Sequence, residues 1–145
     1  MTVRPGSALY TPELLQLAVS LARFPFDRAS GCTGEARSPT CGGRVAFSGT
    51  VHDDQIGAPG LRVTACAVGQ AAAAIFVAHA AGRTRGEIEA ARDAIMGWLA
   101  SRGPPPVWPG IEALAPAIDY PGRHGAIPLA WNAALATLPK ETADS

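Results

Sequence analysis

Apolar and polar positions alternate in the middle of the chain, and this pattern predicts neighbouring β-strands. Residues 44–51 alternate with the period of a strand, and a second strand is expected over residues 56–65, bent near residues 58–60. In the first strand the apolar face carries Val45, Phe47 and Val51, and the opposite face carries Arg44, Ser48 and Thr50. A turn at residues 52–55 joins the two strands, so they are expected to pair as an antiparallel hairpin.

Helices are predicted before and after these strands in the chain. The first begins with Thr11 as N-cap and Pro12 in its first turn, and it ends at Phe24 because a proline follows. After Cys66, the Ala-rich run of residues 71–81 predicts a second helix that is buried on most sides.

The remaining chain is predicted to be helical as well. Thr84 and Glu87 form a capping box at the start of the next helix. Its predicted buried stripe consists of Ile88, Ala91, Ile95, Trp98 and Leu99. A short helical turn is expected over residues 109–115, ended by Pro116, and a last helix over residues 127–138.

The order of helix, strands and helices predicts an α+β fold. We expect a small antiparallel three-stranded sheet, with residues 29–38 as a loop that leads into an edge strand, and helices packed on one face. The length suits a single domain covering residues 1–145. Its two ends, residues 1–8 and 139–145, are expected to be flexible.

Composition narrows the range of functions. The formal net charge is zero and the basic residues are scattered, so the sequence predicts no binding to nucleic acid. The apolar run after Cys66 is interrupted by Gln70 and His79, which argues against a membrane span. Three cysteines, without a recognisable leader, favour a reducing cytoplasm over a secreted disulfide framework.

Candidate chemistry lies at the ends of the predicted strands. Cys66 follows a strand and precedes a helix, where free N–H groups and the helix dipole favour a thiolate. Cys41 precedes the other strand of the hairpin, so an antiparallel arrangement brings the two thiols to one edge of the sheet. Two thiolates there suit a soft metal or an iron–sulfur cluster. The alternative is two unrelated cysteines, one in a loop and one packed in the core.

His124 is a further candidate ligand. It is flanked by Arg123 and Gly125 in the turn of residues 120–125, just before the last predicted helix. In such a turn it can ligate a metal or accept a proton, although a solvated surface histidine is the simpler interpretation. His52 and His79 are weaker candidates.

Several short motifs together resemble a known family. Residues 38–44, Ser-Pro-Thr-Cys-Gly-Gly-Arg, resemble the Asn-Pro-x-Cys-Gly-Asp-Arg turn of the U-type iron–sulfur cluster scaffold family, which includes IscU, SufU and the N-terminal domain of NifU. Cys66 is similar to the second cysteine of that family. Residues 110–114, 120–123 and 129–133 are similar to the C-terminal landmarks of SufU-type members.

The resemblance covers residues 9–138 and implies both a fold and a function. The family fold is a three-stranded antiparallel sheet with helices on one face. Its members hold a nascent iron–sulfur cluster, built with sulfur from a cysteine desulfurase, and pass it to recipient proteins; some carry zinc instead. The usual ligands are three cysteines and one aspartate. Cys41 and Cys66 match two of them, while Gly43 and Ala126 stand where the aspartate and the third cysteine are expected.

Three hypotheses follow from this partial ligand set. The leading one is a non-enzymatic scaffold-like or carrier-like protein that binds a cluster, iron or zinc through Cys41 and Cys66. His124 or Cys32 could complete the site, or a homodimer could supply two cysteines from each chain. The second hypothesis is a protein-interaction module without a cluster. The third is a sulfur-transfer protein with Cys66 as nucleophile and His124 as base.

Overall fold

The computed structural model describes residues 11–39, 42–101 and 103–138. The three strands, in chain order, are β1 (Cys32–Arg37), β2 (Arg44–His52) and β3 (Gln55–Thr64). The four α-helices within these residues are α1 (Pro12–Ser20), α2 (Ala67–Ala78), α3 (Arg85–Ser101) and α4 (Leu129–Thr137). Three 3₁₀ helices cover Leu21–Arg23, Ile111–Asp119 and Pro121–Ala126. The expectations for residues 1–8 and 139–145, and for Cys41, fall outside the described residues.

The sheet has the predicted topology. Its strands are antiparallel and lie in the order β1-β2-β3, so sequential strands are neighbours. The β2–β3 turn places Asp53 and Asp54 at positive φ, the conformation that a tight two-residue hairpin requires. Ala58 also has a positive φ, and the pairing shifts register between Ser48 and Thr50, which accounts for the predicted bend. The α+β prediction is confirmed.

Close packing holds the helices against the sheet. Helix α4 approaches β1 at Gly34, where an added Cβ would overlap the carbonyl oxygen of Ala133. Helix α2 is buried along most of its length, as predicted. Its Phe76 stacks on Trp108 at 5.7 Å between ring centroids and meets the edge of Trp131 at 5.2 Å. Apolar burial of this kind is the main stabilising contribution to the fold.

The predicted helix starts are also present. The Thr11 side chain accepts a hydrogen bond from the Leu14 N–H at 3.1 Å. At the start of α3, the Thr84 hydroxyl accepts from the Glu87 N–H at 3.2 Å, and the Glu87 carboxylate accepts from the Thr84 N–H at 3.0 Å. The predicted stripe of α3 is buried at all five positions: Ile88, Ala91, Ile95, Trp98 and Leu99.

Three details differ from the sequence prediction. Ser48 belongs to the predicted polar face of β2, but it is fully buried and its hydroxyl accepts from the Asp27 N–H at 2.9 Å. The segment after the first 3₁₀ helix covers it. Pro116 does not end a helical turn, because the 3₁₀ helix Ile111–Asp119 continues through it. The last helix begins at Leu129, after a separate 3₁₀ helix.

Within the part of the chain described here, no helix combines the length and the apolar character needed to cross a membrane.

Truncating Ile95 tests the assignment of the buried face of α3. The side chain is fully buried, so Ile95→Ala should lower the free energy of unfolding by about 2–5 kcal/mol. Met96, the next residue, is 51% exposed, and Met96→Ala should change it by less than about 0.5 kcal/mol. Urea unfolding of both variants measures the difference; equal losses would show that the buried face is wrong.

Candidate functional site

The pairing of β2 with β3 fixes where the two cysteine-bearing turns leave the sheet. Arg44, the first residue of β2, is the partner of Thr64, the last residue of β3. Cys41 comes three residues before Arg44, and Cys66 comes two residues after Thr64. Cys41 itself lies outside the described residues. Its strand nevertheless starts at the end of the sheet where the chain reaches Cys66, as the antiparallel prediction requires.

Cys66 is the N-cap of α2, so the prediction of a strand-to-helix junction is confirmed. Its backbone is extended, with φ −66° and ψ 171°, and its carbonyl accepts from the Gln70 N–H at 2.9 Å. The Gln70 side chain also donates to the carbonyl of Ala65 at 2.9 Å, which ties the first turn of α2 to the end of the preceding segment. The half-buried Cys66 thiol forms no side-chain capping bond, so it remains available for other chemistry.

Ala126 lies against the same first turn of α2. It ends the 3₁₀ helix Pro121–Ala126 and is 1% exposed. A Cβ added at Gly69 would stand 3.1 Å from the Ala126 Cβ and 2.7 Å from the Ala65 Cβ. The position that the resemblance assigns to a third cysteine therefore lies beside Gly69, which follows Cys66 by about one helical turn.

Gly43 directly precedes β2 and, having no side chain, contributes only backbone. It is buried, and its carbonyl accepts from the Ser38 N–H at 2.9 Å. The Gly42 N–H donates to the carbonyl of Ser38 at 3.1 Å, and Gly42 has a φ of +74°, a conformation that glycine adopts without strain. These bonds close the turn that leads into β2.

A groove joins this turn to the segment before α4. It has a volume of about 480 Å³. Ser38 and Pro39 line one side, and Gly125, next to Ala126, lines another. Its remaining lining residues are Arg37, Arg92, Asp93, Met96, Pro128, Leu129 and Asn132. The two segments that carry Cys41 and His124 therefore border the same groove.

His124 is close to the site, but one of its ring nitrogens is already engaged. Its Nε2 lies 2.9 Å from the Ile118 carbonyl oxygen and 3.1 Å from that of Ala117. Because carbonyls only accept, the proton is assigned to Nε2, which donates to them. This contact ties together the two neighbouring 3₁₀ helices. Nδ1 is then the nitrogen with a lone pair for a metal.

Cys32 does not belong to this site, and the suggestion that it could complete the ligand set is wrong. It begins β1 and pairs with Gly49, whereas Arg37 at the other end of β1 pairs with Arg44. Five residue steps along a strand separate the two ends by about 17 Å. Among residues 11–39, 42–101 and 103–138, no group of three or more His, Cys, Asp or Glu side chains is placed to hold a metal ion.

Sequence reasoning missed a polar network beside the groove. The Arg92 guanidinium donates to the Asn132 side-chain oxygen at 2.9 Å and to the Asp93 carboxylate at 2.7 Å. The Arg92–Asn132 hydrogen bond links α3 to α4, the helix that follows Ala126 in the chain. The signal in the sequence is weak, because Arg92 and Asn132 are 40 residues apart.

Two glycine substitutions test the packing of α2 on Ala126. In Gly69→Ala the new methyl group meets Ala65 and Ala126, so the free energy of unfolding should fall by about 1–3 kcal/mol. Gly97, in α3, has nothing within 4 Å of the added Cβ, and Gly97→Ala should stabilise the protein by about 0.5–1 kcal/mol. Opposite signs in chemical denaturation are expected; stabilisation by both changes would contradict the packing.

Of three comparisons with known proteins, the one with solved structures gives matches. No family model matches the chain, and no curated protein sequence matches it significantly. Solved structures do match, and the N-terminal part of a nitrogen-fixing NifU-like protein from Brucella abortus superposes with a TM-score of 0.80 at 26% identity. That match covers 91% of this chain and 93% of the other.

Two further structures share the fold. One is a putative iron–sulfur cluster assembly scaffold protein for the SUF system from Fervidobacterium islandicum AW-1, with TM-score 0.79, 18% identity, and coverage of 90% and 97% of the two chains. The other is a hypothetical protein with TM-score 0.62 and 17% identity, over 84% of this chain and 93% of that one. The resemblance predicted from the sequence is thereby confirmed, and the chain is IscU/SufU/NifU-like over most of its length.

Proposed function

We propose that this chain is an iron–sulfur cluster scaffold-like or carrier-like protein that holds its cargo through Cys41 and Cys66. One observation carries the proposal: Gly43 and Cys66 adjoin the paired ends of β2 and β3, and Ala126 packs against the first turn of α2, which Cys66 caps. These are three of the four positions that the resemblance assigns to ligands. The likeness to NifU-like and SufU structures supports the same general function.

The donor set determines how such a site works. A cluster is usually held by four thiolates, and a structural zinc ion by four ligands. One chain offers two cysteines and, at most, Nδ1 of His124, because Gly43 and Ala126 bring no donor atom. A single chain is therefore expected to hold cluster or zinc weakly, whereas two chains contributing two cysteines each would complete a four-thiolate site.

The proposed cellular role follows from the family. Sulfur would come from a cysteine desulfurase, and the cluster would pass to recipient proteins. Passing a preformed cluster on exchanges one set of thiolate ligands for another, so in this role the chain itself would not turn over a substrate as an enzyme does. We expect this exchange to take place in the cytoplasm, where thiols stay reduced.

A second candidate function is a protein-interaction module that binds partners but no cluster. The observation that favours it is the missing half of the ligand set, with Ala126 buried against Gly69 rather than replaced by another donor. Sulfur transfer from Cys66 has less support, since the hydrogen bonds seen for its proposed base, His124, go to the carbonyls of Ala117 and Ile118 rather than to Cys66.

Restoring the missing ligands should strengthen cluster binding. The double variant Gly43→Asp with Ala126→Cys should retain more iron and sulfide after anaerobic reconstitution than the wild type, because it supplies four donors from one chain. Gly43 is not among the glycines at positive φ, so its backbone torsions do not exclude a side chain. Iron and acid-labile sulfide are measured per chain after desalting.

Matched variants make this result interpretable. The same double variant with Cys66→Ser should lose the gain, and thermal unfolding should show that each variant is folded. If the folded double variant retains no more iron and sulfide than the wild type, the scaffold hypothesis is wrong and the resemblance describes the fold alone.

Cluster binding by the unaltered chain should depend on association. If two chains share one cluster, reconstituted wild-type protein should sediment as a dimer with one cluster per two chains, and chelation of the iron should return it to monomers. Cys66→Ser should remain monomeric under the same conditions. Cluster retained by a monomer would exclude the shared site.

A further inference from the structure

The face of the sheet that is turned away from the helices carries a concentration of arginines. We call this surface the open face; it consists of Thr33, Glu35, Arg37, Arg44, Ala46, Arg62 and Thr64. Its arginines are exposed, and the three side chains come from three different strands. The chain as a whole has no net charge, so this excess of positive charge is local.

Two of these arginines are placed against each other. Arg37 and Arg44 are direct partners across β1 and β2. Like charges directly opposite each other in an antiparallel pair are destabilising. Glu35 lies 3.8 Å from Arg37, but both side chains are more than half exposed, so the ion pair is weak. Among the described residues, Arg44 has no ion-pair partner.

The third arginine is held in place. Arg62 pairs with Ala46, one row along the sheet from Arg44 and Thr64. Its guanidinium stacks over the Phe26 ring at 4.6 Å from the centroid, which restrains a side chain that would otherwise be mobile. Arg44 and Arg62 line one shallow pocket of about 200 Å³ together with Glu35, Ala46 and Thr64.

We propose that the open face docks an acidic segment of a partner protein, whose carboxylates bind Arg44 and Arg62. Guanidinium groups bind carboxylates through two parallel hydrogen bonds, and a preorganised arginine loses little freedom in doing so. An uncompensated like-charge pair departs from the usual pairing rules, and such departures are expected at functional surfaces. Carboxylates from a partner remove the repulsion between Arg37 and Arg44.

The charge pattern favours a protein partner over a nucleic acid. Glu35 lines the same pocket as Arg44 and Arg62, where its carboxylate would repel a continuous phosphate backbone. An acidic protein segment can place a neutral side chain at that point. The docking surface begins at the end of the sheet that leads to Cys66, since Arg44 and Thr64 are the last pair of β2 and β3. A partner bound there would lie beside the candidate cluster site.

Binding of fluorescently labelled poly-L-glutamate to the metal-free full chain tests this proposal. Fluorescence anisotropy at low salt should show saturable binding that weakens as salt is added. Arg44→Glu should weaken binding by roughly tenfold, because it removes a guanidinium and adds a repelling charge. The matched control is Arg23→Glu, an exposed arginine outside the open face, which should change the affinity by less than about twofold.

Thermal unfolding separates lost binding from lost folding. Arg44→Glu places a carboxylate opposite Arg37, so its melting temperature should equal or exceed that of the wild type. If the melting temperature falls, Arg44→Gln, which removes the charge without reversing it, replaces Arg44→Glu in the binding assay.

Equal effects of the Arg44 and Arg23 variants on polyglutamate binding would overturn the proposal. Tighter binding of labelled inorganic polyphosphate than of polyglutamate would overturn it too, because the surface would then prefer phosphate. Since no cluster is present, the outcome is independent of the proposed scaffold function.

Discussion

The pairing between β2 and β3 is the constraint on which the candidate site depends. A tight turn at Asp53 and Asp54 starts the pairing, and its register brings Arg44 opposite Thr64 at the far end. A shift of one residue would turn every side chain of β3 to the other face, and would place Leu61 in solvent. The register therefore fixes the core and, at the same time, the place from which the chain reaches Cys66.

Small residues then decide how closely the helices approach this end of the sheet. Gly34 lets α4 lie against β1, and Gly69 lets the first turn of α2 lie against Ala126. Any larger side chain at either position would push a helix away, because the interior is packed without spare volume. The same small residues leave the site with few donor atoms. The glycines allow close helix packing but carry no side-chain donor atoms, so any metal or cluster binding depends on the cysteines.

Local rules were sufficient to predict much of the fold. Capping residues gave the starts of α1 and α3, and the alternation of residues 44–51 gave the central strand. Predictions failed where a distant segment overrides the local pattern. Ser48 is polar and reads as exposed, but the segment at Asp27 covers it and supplies its hydrogen bond. The alternation of apolar and polar residues within β2 cannot show that a distant segment covers Ser48.

At the candidate site too, local rules predicted some features, while others depend on distant segments. Strand direction alone indicated that the chain around Cys41 and Cys66 would reach one edge, whereas the engagement of His124 depends on carbonyls six and seven residues away in a 3₁₀ helix that was not predicted in full. Cys32 was undecided in sequence because its position depends on where β1 begins. The pairing with Gly49 resolves it.

The electrostatics of this end connect the two proposals. A cluster bound by thiolates carries negative charge on its sulfur atoms, and its reduction potential varies with the charge and solvent exposure of its surroundings. Where the family has an aspartate, this chain has neutral Gly43, and the adjoining residue Arg44 is cationic and unpaired among the described residues. The surroundings of Cys66 are thus less negative than a site with three cysteines and an aspartate. An acidic segment docked on the open face would return negative charge to this region. Docking would then alter the environment of the thiolates, giving a partner a physical means to influence what they hold.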